Sequence, residues 1–344
     1  MNTIKTIGVI GAGSFGTAVA NLLAENNNVI LFARNATVVE NINVKRVHKK
    51  QEISSNIKAT NDPAYLTENC ELIFPIVPSS SFKSMLQDFK PLLTPRHILI
   101  HGTKGLHVEK ELTKDLKLTV RDVFTMSSLI LQETSVVRVG CLAGPNLATE
   151  IAQKQIAASV VASRYDEVIE LGKKALSSNR FKVYGSNEII GIELAGILKN
   201  YVAIAAGMTS GLGYGDNARS FLVTRGMTEM IYIAKSFGFT PEPFLGIAGI
   251  GDLMATCNSK LSRNFRVGLF LSQGKKLDEI IEEIGEVAEG VKTLQLIKAL
   301  SDYGFKAPIA SVLYKVIFEG LEMEKGINSL MNFTVEADVD FLNS

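Results

Sequence analysis

The chain has 344 residues, 46% of them hydrophobic, and a formal net charge of +1. That length suits one large or two ordinary domains, and the near-neutral balance gives no general electrostatic case for nucleic acid or a membrane surface. Four histidines and three cysteines, with no CxxC or HExxH spacing, argue against a metal site. The scattered, odd-numbered Cys70, Cys141 and Cys257 suit a reducing, cytoplasmic setting and read as small core residues. The opening "MNTIKTIGVIGAG" predicts no signal peptide, and no apolar run reads as long enough to span a membrane.

In chain order, β-branched runs alternate with amphipathic ones. Ile4–Ile10 reads as a strand, Phe15–Glu25 as a helix and Val29–Phe32 as a strand. Leu72–Val77 reads as a strand that Pro75 makes irregular, followed by a helix over Ser81–Phe89. Strands follow at Ile98–His101, Val137–Leu142 and Ile156–Ala162, then a helix over Tyr165–Leu176 and a strand at Phe181–Tyr184. This alternation predicts βαβ units: an α/β, doubly wound, mainly parallel sheet of Rossmann type over residues 1–186. Past Ser186 the strands stop. Gly191–Gly207, Ala218–Phe237, Arg263–Leu271, Val291–Tyr303 and Ala310–Leu321 read as helices, so residues 187–344 form an all-helical domain. The turn at Tyr184–Glu188 is the expected boundary.

The stretch "IGVIGAGSFGTAVA" puts Gly11, Gly13 and Gly16 in GxGxxG spacing between an apolar strand and an amphipathic helix. In that context the first glycine allows the tight turn and the second the approach of a pyrophosphate. The third allows helix and strand to pack, and the anion sits on the helix N-terminus. The next strand ends in Ala33 and Arg34, not in an acid that would take a ribose 2′-hydroxyl. An arginine there can meet a 2′-phosphate, so NADPH is expected to be accepted. The basic run Lys45, Arg46, His48, Lys49, Lys50 reads as a solvated loop.

Three polar loops, "VPSSSF" (77–82), "HGTKGL" (101–106) and "LAGPNLATE" (142–150), follow strands where doubly wound sheets bind ligands. In the second half, Asp252 follows two glycines, and Ser262, Arg263 and Asn264 open a helix. Hydroxyl, guanidinium and amide donors at a helix start make a phosphate cradle, or an ordinary N-cap with exposed neighbours. Lys199 lies inside the apolar "GIELAGILKNYVAIAAG", with Glu193 a turn and a half upstream. A lysine in such a helix either snorkels or works. Its neighbours Ala195, Gly196, Val202 and Ala203 are small enough to leave room for a ligand.

Together "GAGSFGTAVA", "TKGL", "AGPNLATE", "GIELAGILKNYVAIAAGMTSGLGYGDN", "GIGDLMATCNSKLSRN" and "EVAEGVKT" make nearly the whole chain resemble the soluble bacterial NAD(P)-dependent glycerol-3-phosphate dehydrogenases. The resemblance implies a 6-phosphogluconate-dehydrogenase-like pairing of Rossmann and helical domains. It also implies a cytoplasmic homodimer and the reduction of dihydroxyacetone phosphate to sn-glycerol 3-phosphate for glycerophospholipid synthesis. It makes Lys199 the catalytic residue. Lys104, Gly144, Asn146, Asp252, Ser262, Arg263 and Asn264 join Lys199 as substrate-binding positions. For NADPH or NADH it implies Ser14, Phe15, Arg34, His48, Lys104, Ala148, Arg263, Val287 and Glu289 beside the three glycines. The chain departs from the family where "NVKRVHKKQEI" replaces a tyrosine-leucine-proline stretch, and where Asn146 replaces a serine or threonine. The competing readings are a two-domain NADPH reductase of a hydroxy acid or ketopantoate, and a non-catalytic NADPH-binding sensor.

Overall fold

The computed structural model describes residues 6–113, 115–285, 288–300 and 307–332. The chain divides into two compact units, the first of Met1–His107 with Phe124–Glu193 and the second of Val108–Val123 with Leu194–Ser344. The division falls inside a helix, past the turn at Tyr184–Glu188, and assigns residues 108–123 to the second unit.

The first unit holds an eight-stranded sheet. Its strands are β1 (Thr6–Ile10), β2 (Asn28–Phe32), β5 (Ile57–Thr60), β6 (Leu72–Pro75), β7 (Ile98–His101), β10 (Arg138–Ala143), β11 (Ala157–Ser163) and β12 (Phe181–Ser186), in the order β12-β11-β10-β7-β6-β1-β2-β5. All neighbours are parallel except β10 and β11. Two small ribbons accompany it, β3 (Val47–His48) with β4 (Gln51–Glu52) and β8 (Leu106–Val108) with β9 (Val123–Thr125). The seven predicted strands are present. β5 went unpredicted because Lys58 and Thr60 break its apolar pattern, and both ribbons are too short to show a period. Pro75 ends β6, and its carbonyl still accepts from Gly102 N at 3.0 Å.

Helices cover the sheet: α1 (Ser14–Leu23), α2 (Ala36–Lys45), α3 (Pro63–Asn69), α4 (Ser79–Phe89), α5 (Met126–Glu133), α6 (Ala148–Ala152) and α7 (Asp166–Leu176). One core, including Ile7, Val9, Leu31, Phe74 and Ile100, lies under α1 and α7; the other, including Ile10, Ile73, Phe82 and Phe89, lies under α4 and α5. A carboxylate is buried in this unit. Glu193 accepts from Ser127 N at 3.0 Å and from the Ser127 hydroxyl, with His101 Nε2 at 2.9 Å. Burial pushes its pKa up, but His101 and the two serine donors outweigh burial and hold it below the usual carboxylate range.

The described part of the second unit is built on α8 (Ile189–Gly211, from Leu194 on), α9 (Asp216–Ser236), α10 (Asp252–Cys257), α11 (Arg263–Ser272), α12 (Leu277–Ile284), α13 (Glu289–Ala299), α14 (Pro308–Phe318) and α15 (Met323–Met331). α8 is 23 residues long with a mean hydropathy of 1.6 in its most apolar window, so it does reach the length and composition of a membrane span. The sequence reading stopped short at both of its ends. That window is 94% buried within the protein, which makes α8 a core helix. Its glycines allow close crossing: a Cβ on Gly207 would lie 2.0 Å from the Phe265 carbonyl oxygen, and one on Gly268 of α11 1.9 Å from that of Ile204. Val202 packs where Gly226 of α9 lacks a side chain, since a Cβ there would lie 2.4 Å away. Val202 therefore serves helix packing.

Glu229 of α9 accepts from Ile309 N at 2.7 Å and Ala310 N at 3.0 Å, capping the first turn of α14 from a distance in sequence. Burial nevertheless raises its pKa to about 7, against the opposing pull of those N–H groups. Between the ordinary carboxylate range and that value the folded chain keeps a proton the unfolded chain has released, so stability falls as pH rises. We expect the calorimetric Tm of the parent, measured relative to Glu229→Gln, to decline from about pH 5 to about pH 8 and then level. A difference that rises with pH would contradict this assignment.

Candidate active site

β1 runs straight into the glycine loop. Gly11 has φ +113°, and a Cβ on it would lie 2.3 Å from the Ile76 carbonyl oxygen. Gly16 packs so tightly that its Cβ would lie 1.9 Å from the Gly11 carbonyl. Gly13, the N-cap of α1, faces open space for at least 4 Å, and no side chain caps that helix. The open Gly13 and the side-chain-free helix start fit a dinucleotide diphosphate. Beside them lies a cavity of about 350 Å³ bordered by Gly11, Gly13, Arg34, His48, Pro78 and Phe89 among others, a suitable size for the adenosine half. Ser14 is exposed at the helix start, while Phe15 and Ala148 are half-buried against the core of this unit.

The basic run is solvated at Lys45, Lys49 and Lys50 but is not an irregular loop. Residues 47–52 form the β3–β4 hairpin, in which His48 Nε2 lies 2.8 Å from Ala12 O and Gln51 Nε2 donates to Ser14 O at 3.0 Å. Arg46 turns its guanidinium inward to the carbonyls of Ile57, at 2.9 Å, and Ser54. The sequence pattern missed this because the contacts are made to backbone carbonyls far along the chain.

At the strand ends of the same unit, Lys104 donates to the Gly144 carbonyl at 2.9 Å, and Gly144 has φ +136°. Asn146 Oδ1 accepts from Ser159 Oγ at 2.6 Å, while its buried Nδ2 has no partner among the described residues. The helix that follows, α6, has only five residues.

In the second unit Lys199 is 4% exposed, which rules out snorkelling. Its Nζ lies 2.7 Å from Asp252 Oδ1 and also donates to Thr256 Oγ1. Glu193 is not its partner, being held by His101 and Ser127 in the first unit. Asp252 follows one turn of π-helix, Ile247–Gly251, and is itself 2% exposed. Thr256 was missed by sequence reasoning. Its signal was the i, i+4 spacing from Asp252, which puts both side chains on one face of α10. Thr256 Oγ1 also donates to Asp252 O at 2.6 Å. The neighbouring Cys257 is fully buried, and burial raises its thiol to about 12, so it is inert.

Ser262 is the N-cap of α11, its hydroxyl accepting from Phe265 N at 3.3 Å, and Arg263 is the exposed first residue of that helix. Asn264 points inward: Nδ2 donates to Asn200 Oδ1 at 3.0 Å and Oδ1 accepts from Gly290 N at 3.0 Å. Much of its capacity therefore joins α8, α11 and α13. Glu289, at the start of α13, acts electrostatically on both Arg263 and Lys292. Burial pushes Lys292 below the usual lysine range; it stands in the quoted "EVAEGVKT" but no pattern marked it out. Val287 lies outside the described residues.

Residues 6–169 match the model for the NAD-dependent glycerol-3-phosphate dehydrogenase N-terminus, and residues 188–328 that for its C-terminus. The chain belongs to the NAD(P)-dependent glycerol-3-phosphate dehydrogenase family. It is 39% identical over 347 residues to the glycerol-3-phosphate dehydrogenase [NAD(P)+] of Azotobacter vinelandii, covering 99% of this chain and 98% of that one. It is 39% identical over 351 residues to that of Pseudomonas fluorescens, covering 100% of this chain and 95% of that one. Among solved structures, glycerol-3-phosphate dehydrogenase from Coxiella burnetii superposes with a TM-score of 0.85 at 31% identity, over 96% of this chain and 99% of that one. A ketopantoate reductase from Ralstonia eutropha, at 15% identity and a TM-score of 0.56, shares the fold alone. The chain is an oxidoreductase using NAD or NADP.

The ion pair makes a stability test. Breaking a buried pair costs about 3–5 kcal/mol, and leaving one buried donor unpaired about 1–3 kcal/mol. Asp252→Asn should therefore lower the Tm more than Thr256→Val does, in parallel calorimetric scans. Equal, small shifts would mean that the ammonium is compensated elsewhere.

Proposed function

We propose that this enzyme interconverts dihydroxyacetone phosphate and sn-glycerol 3-phosphate, with Lys199 as proton donor and acceptor. The observation that carries the reading is the buried Lys199 ammonium held by Asp252 and Thr256. A bound reduced nicotinamide supplies a hydride to the substrate C2. The chain must then stabilise the negative charge that grows on the C2 oxygen and provide a proton. An ammonium in a site of low dielectric does both, and Asp252 at 2.7 Å favours the charged form before the proton leaves. In the reverse direction neutral Lys199 takes the hydroxyl proton. Thr256 keeps Nζ in one place, so little reorganisation accompanies the step.

Lys104, Gly144, Asn146, Asp252, Ser262, Arg263 and Asn264 are assigned to the substrate. Asn146 brings its unpartnered amide N–H groups, Arg263 a bidentate fork for the phosphate and Lys104 a further cation. Gly11, Gly13, Ser14, Phe15, Gly16, Arg34, His48, Lys104, Ala148, Arg263, Val287 and Glu289 are assigned to the cofactor. The product suits glycerophospholipid synthesis in the cytoplasm, and the enzyme is assigned as a homodimer on the family resemblance.

The direct test follows NADPH and NADH consumption with dihydroxyacetone phosphate against ketopantoate. Turnover of ketopantoate alone would overturn the substrate. Lys199→Met should lower kcat by about 10²–10⁴-fold, the usual worth of general acid catalysis, while nicotinamide binding by fluorescence persists. Near-normal kcat would remove Lys199 from the chemistry. Arg263→Lys should lower kcat/KM for dihydroxyacetone phosphate by roughly 10-fold, because an ammonium cannot copy the planar fork. Its effect on unphosphorylated dihydroxyacetone should be smaller, limited to whatever Arg263 contributes at the cofactor; equal loss on both would remove Arg263 from the phosphate.

A further inference from the structure

The turn of the β3–β4 hairpin consists of Lys49 and Lys50, both in the left-handed region with φ 50° and 61°. A two-residue turn of that kind is normally built from asparagine and glycine, which tolerate positive φ. Two lysines there are strained, and such residues persist where their surroundings over-determine them. The surroundings do so here. His48 and Gln51, on either side of the turn, are tied to the carbonyls of Ala12 and Ser14 in the glycine loop. Ile53 N closes the base of the hairpin on Arg46 O at 2.8 Å.

The consequence is a fixed difference between two adjacent cations. Lys49 lines the nucleotide cavity together with Arg34 and His48, whereas Lys50 is not part of its wall. The acid among the lining residues, Asp88, belongs to the α4 wall with Met85 and Phe89. No carboxylate stands at the end of β2, where Ala33, Arg34 and Asn35 follow Phe32. Asn35 Oδ1 is taken up in capping α2, at 2.8 Å from Thr37 N. A ribose 2′-hydroxyl therefore meets no acidic acceptor there, while a 2′-phosphate meets a planar guanidinium and a point charge.

Building on the cofactor assignment above, we infer that Lys49 reads the 2′-phosphate of NADP(H) jointly with Arg34, and that the hairpin is tied to the glycine loop to hold it there. Lys49 is then a specificity-determining residue, in a turn that the His48 and Gln51 bonds hold against the glycine loop.

The test uses the intact enzyme and two fragments, 2′,5′-ADP and 5′-AMP, titrated calorimetrically. The parent should bind 2′,5′-ADP more tightly than 5′-AMP. Lys49→Glu should weaken 2′,5′-ADP by about 10-fold or more, the scale of one charge-assisted contact replaced by a repulsive one, and leave 5′-AMP unchanged. Lys49→Gly removes the cation while relieving the positive φ, so it should lose 2′,5′-ADP affinity without lowering the Tm. Lys50→Glu makes the same charge change one residue away and should leave both fragments unaffected. The inference is overturned if Lys49→Glu and Lys49→Gly bind 2′,5′-ADP like the parent, if Lys50→Glu weakens it as much, or if 5′-AMP falls in step. A parent that binds both fragments equally overturns it while leaving the NAD(H) site intact. A parent that binds neither overturns the cofactor assignment as well.

Discussion

The second unit is organised around an ammonium kept out of water. Burying the Lys199 charge without compensation would be prohibitive, so the second unit must supply a carboxylate and a hydroxyl where Nζ ends. Asp252 and Thr256 do so from one face of the short α10. That demand explains local features that otherwise look arbitrary. The π-helical turn at Ile247–Gly251 adds a residue to the spacing just before Asp252. Glycines on α8 and α11 let the helix that carries Lys199 cross its neighbour at backbone distance. The Asn200–Asn264–Gly290 bonds join α8, α11 and α13 around the same helix. A buried pair of this kind is not chosen for stability, since apolar residues of the same volume pack as well. It is retained where a charge must stand ready in a dry place.

The first unit solves the opposite problem. It must offer unpaired N–H groups to an anion without losing its own core. Glycine makes this possible, because at Gly11 and Gly16 a Cβ would collide with backbone carbonyls. The loop is then buttressed from outside by the hairpin, whose bonds to Ala12 and Ser14 take the carbonyl side of the loop and leave its N–H side open. Elsewhere in the unit the buried Glu193, His101 and Ser127 cluster ties the start of α8 to the end of β7.

Glu193 and Glu229, the two buried glutamates among the described residues, show how environment, and not residue type, sets ionisation. Both are withdrawn from solvent and accept from backbone N–H groups. Glu193 has His101 beside it and stays below the ordinary range, whereas the N–H groups that cap α14 do not offset burial at Glu229, which rises to about 7. Glu229 also pushes the buried Tyr201 up, burial being the larger cause. None of this can be read from spacing, since each cluster assembles residues distant in the chain.

The sequence by itself determined the elements whose physics is local. The glycine spacing between strand and helix announced the nucleotide loop, because the turn, the open approach and the tight packing are all made within six residues of Gly11. The alternation of short β-branched runs with amphipathic helices determined the doubly wound sheet, and Lys199 stood out because a charge in an all-apolar helix needs a reason. Tertiary structure decided which partners those residues have. It gave Lys199 to Asp252 and Thr256 and withheld Glu193, turned Asn264 inward, and folded the basic run into a hairpin against the glycine loop. It also buried a helix long enough to cross a membrane. The reason is common to all these cases: hydrogen bonds and ion pairs between distant segments leave no period in the sequence, and burial is a property of what packs around a residue, not of the residue itself.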